Sequence, residues 1–301
     1  MIELRHLRYF LAVAQTQHVS RAAETLCVTQ STLSHQMRQL EDLLAVPLFD
    51  RIGRNIRLTQ AGHTFRHFAQ RALKEVEAGQ SALREMDQLL GGTLRLGIIP
   101  TYGTLLLPAA IAEFSLLYPQ VRLVIEELTS LAIEDEVAAG ALDLGIGFAP
   151  ARRREVETEA LFEEALVLVV PAAHALAGRK AVAVRELDGL PVGVLSQAFA
   201  TRRLLDGLLA DLAQPDIRLE VNSSDALLAL VRRGAMAVIL SERAVPIGPE
   251  LAKIPIVEPV PLRMAAFIWL AHAHRTAAAR EFARLFRRLH GTQQADAEDL
   301  G

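Results

Sequence analysis

From Gln60 to Leu90 the chain runs about thirty residues without a proline, and Gly91-Gly92 closes the run. Phe65, Phe68, Ala72, Leu73, Val76, Leu83, Met86 and Leu90 recur there at helical spacing as one apolar stripe. A helix of that length spans about 45 Å. One small domain cannot cover such a stripe, so the spacing predicts pairing with a second copy of the chain. The run divides the sequence into a front segment, a dimerising helix and a longer remainder.

The front segment reads as short helices. Leu4, Leu7, Phe10, Leu11 and Ala14 share one helical face, with Arg5 and Arg8 opposite. Ser20 is read as an N-cap before Arg21-Ala-Ala-Glu24, with Glu24 one position beyond the ideal capping-box spacing. After a break at Cys27-Val-Thr29, Thr29 caps a third helix that packs through Leu33, Met37, Leu40 and Leu44. Two short helices with a tight turn, the second rich in Ser, Thr, Gln, His and Arg, describe a helix-turn-helix. Past Pro47, the extended pieces Pro47–Arg51 and Asn55–Thr59 flank Gly53 as a hairpin carrying Arg51, Arg54 and Arg57, a basic wing.

After Gly92 strands and helices alternate. Strands are predicted at Thr93–Ile99, Val121–Leu128, Leu142–Phe148, Ala165–Val170, Pro191–Leu195, Ile217–Val221, Ala237–Leu240 and Ala265–Leu270. Helices fit at Leu107–Tyr118, Ile133–Ala141, Thr201–Leu212, Asp225–Arg233 and Ala277–His290. This is the pattern of a mostly parallel sheet with helices on its faces.

Composition narrows the function classes. The 301 residues are 51% hydrophobic, enough for more than one core, and their net charge is −3. Residues 1–90 carry eleven Lys/Arg against nine Asp/Glu, while the rest is net acidic, which permits a nucleic-acid-binding front on an acidic sensor. A single cysteine, Cys27, excludes intramolecular disulfides and is expected as a buried packing residue. The first residues carry no apolar export core and no stretch is apolar enough for a membrane span, so a cytoplasmic setting with no membrane partner is expected. The polar stretch from Gly291 to Gly301 is expected to fray.

The blocks Leu7-Arg-Tyr-Phe10, Ser20-Arg-Ala-Ala-Glu24, Val28-Thr-Gln-Ser-Thr-Leu-Ser34, Leu40-Glu41, Pro47-Leu-Phe-Asp-Arg51 and Leu58-Thr-Gln-Ala-Gly62 resemble the LysR-type transcriptional regulators. One departure is Ser31, where that family commonly has proline at the start of the recognition helix. The resemblance implies an α+β multidomain chain: a winged helix-turn-helix over 1–62, a linker and dimerisation helix over 63–90, and an effector-binding domain over 91–295. That last part would be a periplasmic-binding-protein-like pair of α/β subdomains, the first at 91–162 and 267–292, the second at 163–266. It also implies double-stranded promoter DNA, a small-molecule effector, further copies of the chain (a dimer and then a tetramer) and RNA polymerase as partners. Phe148-Ala-Pro150, Phe199-Ala-Thr-Arg202 and Glu220-Val-Asn-Ser223 look most like the cyanate-operon branch.

Gln30, Ser31, Thr32, Ser34, His35 and Arg38 offer the donors and acceptors that base edges and phosphates need, and Arg54 is the wing residue that would touch DNA. For the effector, the rule that open α/β sheets bind ligands beyond strand carboxyl ends selects Thr101, Tyr102, Thr129, Ser130 and Phe148 on one wall, and Phe199, Thr201, Arg202 and Asn222 on the other. Helix starts plus hydroxyls favour a small anion or carboxylate, with Arg202 or Arg203 completing its charge. The interdomain crossings are expected near Leu161–Glu163 and Met264–Phe267.

Other chemistry is not supported. His63 and His67 lack a third metal ligand and read as a solvated helix face, Gly145-Ile-Gly147 reads as close packing, and Glu126-Glu127 as a solvated edge. No Walker motif, nucleophile elbow or zinc motif occurs, so no enzyme activity, metal or cofactor is expected. A solute-binding transport protein would fit the second half but not the missing export signal. A nucleoid-type protein would bind DNA without regard to sequence.

Overall fold

A computed structural model describes residues 1–52, 55–85, 91–210, 212–246 and 248–291. The chain divides into two compact units, the first built on Met1–Leu89 and the second on the α/β remainder.

In the first unit, α1 (Leu4–Thr16), α2 (Val19–Thr25) and α3 (Gln30–Leu44) are followed by a hairpin, β1 (Phe49–Ile52) and β2 (Asn55–Leu58), and by α4 (Gln60–Glu85). Leu7, Phe10, Val13, Ala22, Ala23, Leu33, Met37, Leu40 and Leu48 form its core. Phe65 closes that core from the start of α4, with its ring 5.1 Å from Phe10. Farther along α4, Phe68 is 62% exposed. The expected continuation through Met86 and Leu90 lies outside the described residues.

Two local expectations are corrected here. Helix α2 begins one residue before Ser20, with His18 extended at the N-cap; Ser20 sits in the first turn and donates to Gln30 Oε1 at 3.0 Å instead of capping. Cys27 is exposed, not buried, because it takes the left-handed backbone conformation (φ 54°) that turns the chain from α2 into α3.

The second unit contains β3 (Gly92–Ile98), α5 (Pro100–Leu105), α6 (Leu107–Leu117), β4 (Val121–Glu127), α7 (Ser130–Ala138), β5 (Leu144–Ala149) and β6 (Val156–Pro171). Then come β7 (Val182–Ala183), β8 (Pro191–Leu195), α8 (Ala200–Leu209), β9 (Asp216–Val221), α9 (Ser224–Arg232), β10 (Ala237–Ser241), β11 (Leu251–Val257), β12 (Leu262–Leu270) and α10 (Ala277–His290). The strand order is β4-β3-β5-β12-β6-β10-β8-β9, with β11 added on β6. Each lobe repeats one plan: its second, first and third parallel strands in that order, then an antiparallel strand shared with the crossing.

The sheet is therefore mixed, not mostly parallel. The chain leaves the first lobe on β6 and returns on β12, so those two strands must run in opposite directions, and they pair from Val156↔Leu270 to Ala165↔Leu262. Strand β6 changes partners between Ala165 and Leu166, where β10 replaces β12. The small residues expected to pack closely do so: a Cβ on Gly145 would lie 2.3 Å from Ile133 Cγ2. No helix among the described residues is long and apolar enough to cross a membrane.

Candidate DNA interface and effector site

Helix α3 separates its two faces cleanly. Leu33, Met37 and Leu40 are buried, whereas Gln30, Ser31, Thr32, His35 and Arg38 are exposed and Ser34 is half-buried. Thr29 caps the helix as its position predicts, its Oγ1 accepting from Thr32 N–H at 3.1 Å. The Ser31 and Thr32 hydroxyls lie 2.9 and 2.8 Å from the same oxygen, so Ser31 helps to fix the first turn. Ser20 engages only the side-chain oxygen of Gln30, and the amide nitrogen stays available as a donor.

The wing is a true antiparallel hairpin, with Phe49 opposite Leu58 and Asp50 opposite Arg57. Arg57 is exposed; Arg54 lies outside the described residues. Sequence reasoning gave Glu41 no role. Its Oε1 accepts from Leu48 N–H at 2.8 Å and Phe49 N–H at 3.2 Å, which ties the start of the wing to the end of α3. His63 and His67 are exposed, and no His/Cys/Asp/Glu cluster suited to a metal occurs among the described residues.

In the second unit, a small pocket of about 10 Å³, room for about one water, brings together Thr101, Thr129, Ser130 and Phe148 from the first lobe with Phe199 and Thr201 from the second. They follow β3, β4 and β8 or, for Phe148, lie among the last residues of β5, the carboxyl ends at which open α/β sheets bind ligands. Three other expected residues lie elsewhere. Tyr102 is fully buried beneath the pocket, with ring contacts to Phe148 and Phe162 at 5.9 and 5.7 Å. Burial, and after it the Glu164 charge, push its phenol well above the usual range. Arg202 turns away: its Nε donates to Asp206 at 2.7 Å and its Nη1 to Glu220 at 2.6 Å. Asn222 is exposed at the end of β9. Arg203 donates to the Gln197 and Ala198 carbonyls, within the loop that leads into α8.

The charge next to the pocket comes from residues that sequence reasoning did not single out. Arg263, on β12, donates through Nε to Glu164 Oε1 at 2.5 Å and through Nη1 to Thr201 Oγ1 at 2.8 Å. Its guanidinium lies 3.8 Å from the centre of the Phe148 ring. Ser241 donates to the other Glu164 oxygen at 2.7 Å. Both charged side chains are buried, Glu164 at 0% and Arg263 at 7% exposure. They sit on the two crossing strands and bind side chains of the second lobe.

With this geometry in place, comparison with known proteins identifies the chain. Residues 4–63 match the family model "Bacterial regulatory helix-turn-helix protein, lysR family", and residues 87–290 match "LysR substrate binding domain". The chain belongs to the LysR family. It is 30% identical to a hydrogen peroxide-inducible genes activator of Dickeya chrysanthemi, over 89% of each chain. Full-length OxyR from Pseudomonas aeruginosa matches it with a TM-score of 0.80 and 28% identity, covering 98% of this chain and 99% of that one. Full-length CbnR in complex with its target DNA matches with a TM-score of 0.66 and 25% identity, over 95% and 99% of the two chains. Like its family, this LysR-family chain is a DNA-binding transcription regulator with an effector-binding domain, not an enzyme.

Proposed function

We propose that this LysR-family regulator responds to a small anion or carboxylate held in the pocket between its two lobes. The observation that carries this reading is the hydrogen bonding of Thr201. Its Oγ1 accepts from Arg263, so its proton is free to point into the pocket, and the partner it requires there is an acceptor. Helices α7 and α8 start at the same pocket, one from each lobe, and bring unpaired N–H groups and positive dipole ends. The lining holds four hydroxyls and no carboxylate.

One relative is named for hydrogen peroxide. Peroxide oxidises thiolates most readily, and this chain's one cysteine, Cys27, lies in the helix-turn-helix. That favours reversible binding over thiol oxidation in the sensor half. Cyanate, suggested by the Phe148-Ala-Pro150 block and its companions, is a small anion that accepts hydrogen bonds.

On the DNA side, we assign base and phosphate contacts to Gln30, Ser31, Thr32, Ser34, His35 and Arg38, with Arg54 gripping the backbone from the wing. The half-exposed stripe of α4 pairs two copies through residues 63–90, two such dimers form a tetramer in the cytoplasm, and the bound assembly contacts RNA polymerase.

Thermal unfolding of the full-length protein with cyanate, formate, acetate and benzoate, against neutral amides of matching size, tests the effector reading. One or more anions should raise the midpoint, and Thr201→Val should abolish that shift while operator affinity without ligand stays the same. Equal stabilisation by the neutral amides, or an unaltered shift in Thr201→Val, would overturn it.

A further inference from the structure

A second cavity, of about 160 Å³, opens along α5 and α9 and is far larger than the effector pocket of about 10 Å³. Its lining includes Thr101 and Thr104 from the first lobe and Ser224, Asp225, Leu228 and Arg232 from the second. Its chemistry differs from the first pocket in one respect: it contains both a full acid and a full base.

Asp225 and Arg232 are seven residues apart on α9, which is two helical turns, so both project on one face about 10 Å apart along the axis. Leu228 lies between them and is buried, which gives the cavity an apolar floor. Asp225 has no hydrogen-bond or ion-pair partner among the described residues, whereas the paired carboxylates Glu164 and Glu220 are held at 2.5 and 2.6 Å. Arg232 has a single ion pair there, to Glu250, at the long separation of 3.5 Å.

We propose that this cavity is a second ligand site, selective for a linear zwitterion: an ω-amino carboxylate whose ammonium meets Asp225, whose carboxylate meets Arg232, and whose methylenes lie on Leu228. A diacid of the same length would face Asp225 with like charge, and a diamine would do the same at Arg232. The hydroxyls of Thr101, Thr104 and Ser224 serve the ligand's remaining hydrogen-bonding capacity. Thr101 lines both cavities, so an occupant here touches a residue that also forms a wall of the effector pocket. The site is independent of the anion reading, because none of its charged groups borders the first pocket.

Titration calorimetry of the full-length protein with ε-aminocaproate, adipate, caproate and hexamethylenediamine tests the proposal. ε-Aminocaproate should bind with one site per chain, at least tenfold more tightly than the other three. Arg232→Gln should weaken it tenfold or more and bring the diamine level with it. Asp225→Asn should do the same for the caproate comparison. Thr104→Trp, at an exposed position, should fill the cavity and abolish binding. If circular dichroism shows Thr104→Trp to be unfolded, the two charge variants decide. Failure of ε-aminocaproate to bind, equal binding of all four compounds, or indifference to both charge variants would overturn the second site. Loss of ε-aminocaproate binding in Thr201→Val would place it in the effector pocket, which also overturns this site and leaves the proposed function standing.

Discussion

Replacing Glu164 by glutamine tests the charge at the crossing, because it keeps the pairings with Arg263 and Ser241 and reverses only the second, in which the Ser241 hydroxyl now donates. The amide oxygen can face Arg263 as Oε1 does now. The amide nitrogen then faces Ser241 Oγ, which already accepts from Arg243 N–H at 3.2 Å and has a second lone pair to offer. What disappears is the negative charge beside a guanidinium only 7% exposed. Breaking a buried ion pair by removing one partner costs about 3–5 kcal/mol. The Phe148 ring, 3.8 Å from the guanidinium carbon, continues to stabilise the cation, so the lower end, about 3 kcal/mol, is expected.

For a unit of this size that loss corresponds to a midpoint about 10 °C lower. The chain has one tryptophan, Trp269, buried on β12 opposite Glu157, so intrinsic fluorescence during urea unfolding reports this unit directly. Methionine at both Glu164 and Arg263 should recover most of the loss, since an apolar pair leaves no orphaned charge. A loss below about 1 kcal/mol, or a double variant no better than the single one, would refute the account of the crossing as a coupled ion pair. A second sign is fixed as well. With Arg263 uncompensated behind Thr201, an anionic effector should bind Glu164→Gln about tenfold more tightly, near 1.4 kcal/mol, although the protein itself is weaker.

Gly62→Ala should destabilise the first unit by about 1–3 kcal/mol in far-UV circular dichroism melts, against the gain alanine usually brings to a helix, because the added Cβ would lie 2.1 Å from the Leu48 carbonyl oxygen. A neutral or positive change would show that α4 and Leu48 separate freely. Arg38→Ala should weaken operator binding and lower the slope of log affinity against log salt by about one, the change expected when a single phosphate is no longer neutralised; an unchanged slope would remove Arg38 from the interface. His290 gives a pH signature. Burial lowers its imidazole below the ordinary histidine range and the Arg243 charge adds to this, while the Leu106 carbonyl at 2.8 Å works the other way. A lowered folded pKa means that its contribution is present above the unfolded value of about 6.5 and is lost as the pH falls through the lower folded value. His290→Gln should therefore flatten the acid side of the urea-midpoint profile, and an identical profile in the variant would exclude that linkage.

What the sequence made legible follows from how local the controlling physics is. Strands such as Pro191–Leu195 and helices such as Ala277–His290 are found where predicted, because an apolar run between turn residues, or a stripe of period 3.6, is a property of consecutive residues. The first half of β6 was not. Glu157, Glu159, Glu163 and Glu164 break the apolar pattern of Val156–Ala165, and only pairing with β12, about a hundred residues later, gives Glu164 its cation. β11 was missed because Pro255 interrupts its apolar run. Topology alone selected loops that meet around one pocket, since strand carboxyl ends are a general rule. It could not tell a free arginine from a paired one. Arg202 is spoken for by Asp206, four residues on, and by Glu220 on the next strand. The cation that does border the pocket, Arg263, lies outside every loop the rule selects.

That placement bears on how small a ligand can be and still act. Thr201 lines the pocket and also closes the hydrogen-bonded set that links the second lobe to the crossing strands through Arg263, Glu164 and Ser241. An acceptor that takes the Thr201 proton polarises the hydroxyl and strengthens its acceptance from Arg263, because hydrogen bonds in series reinforce one another at low dielectric. The ligand is then bound more tightly in whichever lobe arrangement keeps the Thr201–Arg263 hydrogen bond. A hydrogen bond to a charged group contributes about 1.5–3 kcal/mol, and a tenfold shift in a two-state population requires only about 1.4 kcal/mol of differential affinity. On the proposed effector reading only the reinforcement of that bond, about 10–30% of its strength, counts as differential affinity, so the Thr201 contact biases the angle between the lobes a few-fold and further contacts that differ between the two arrangements must supply the rest.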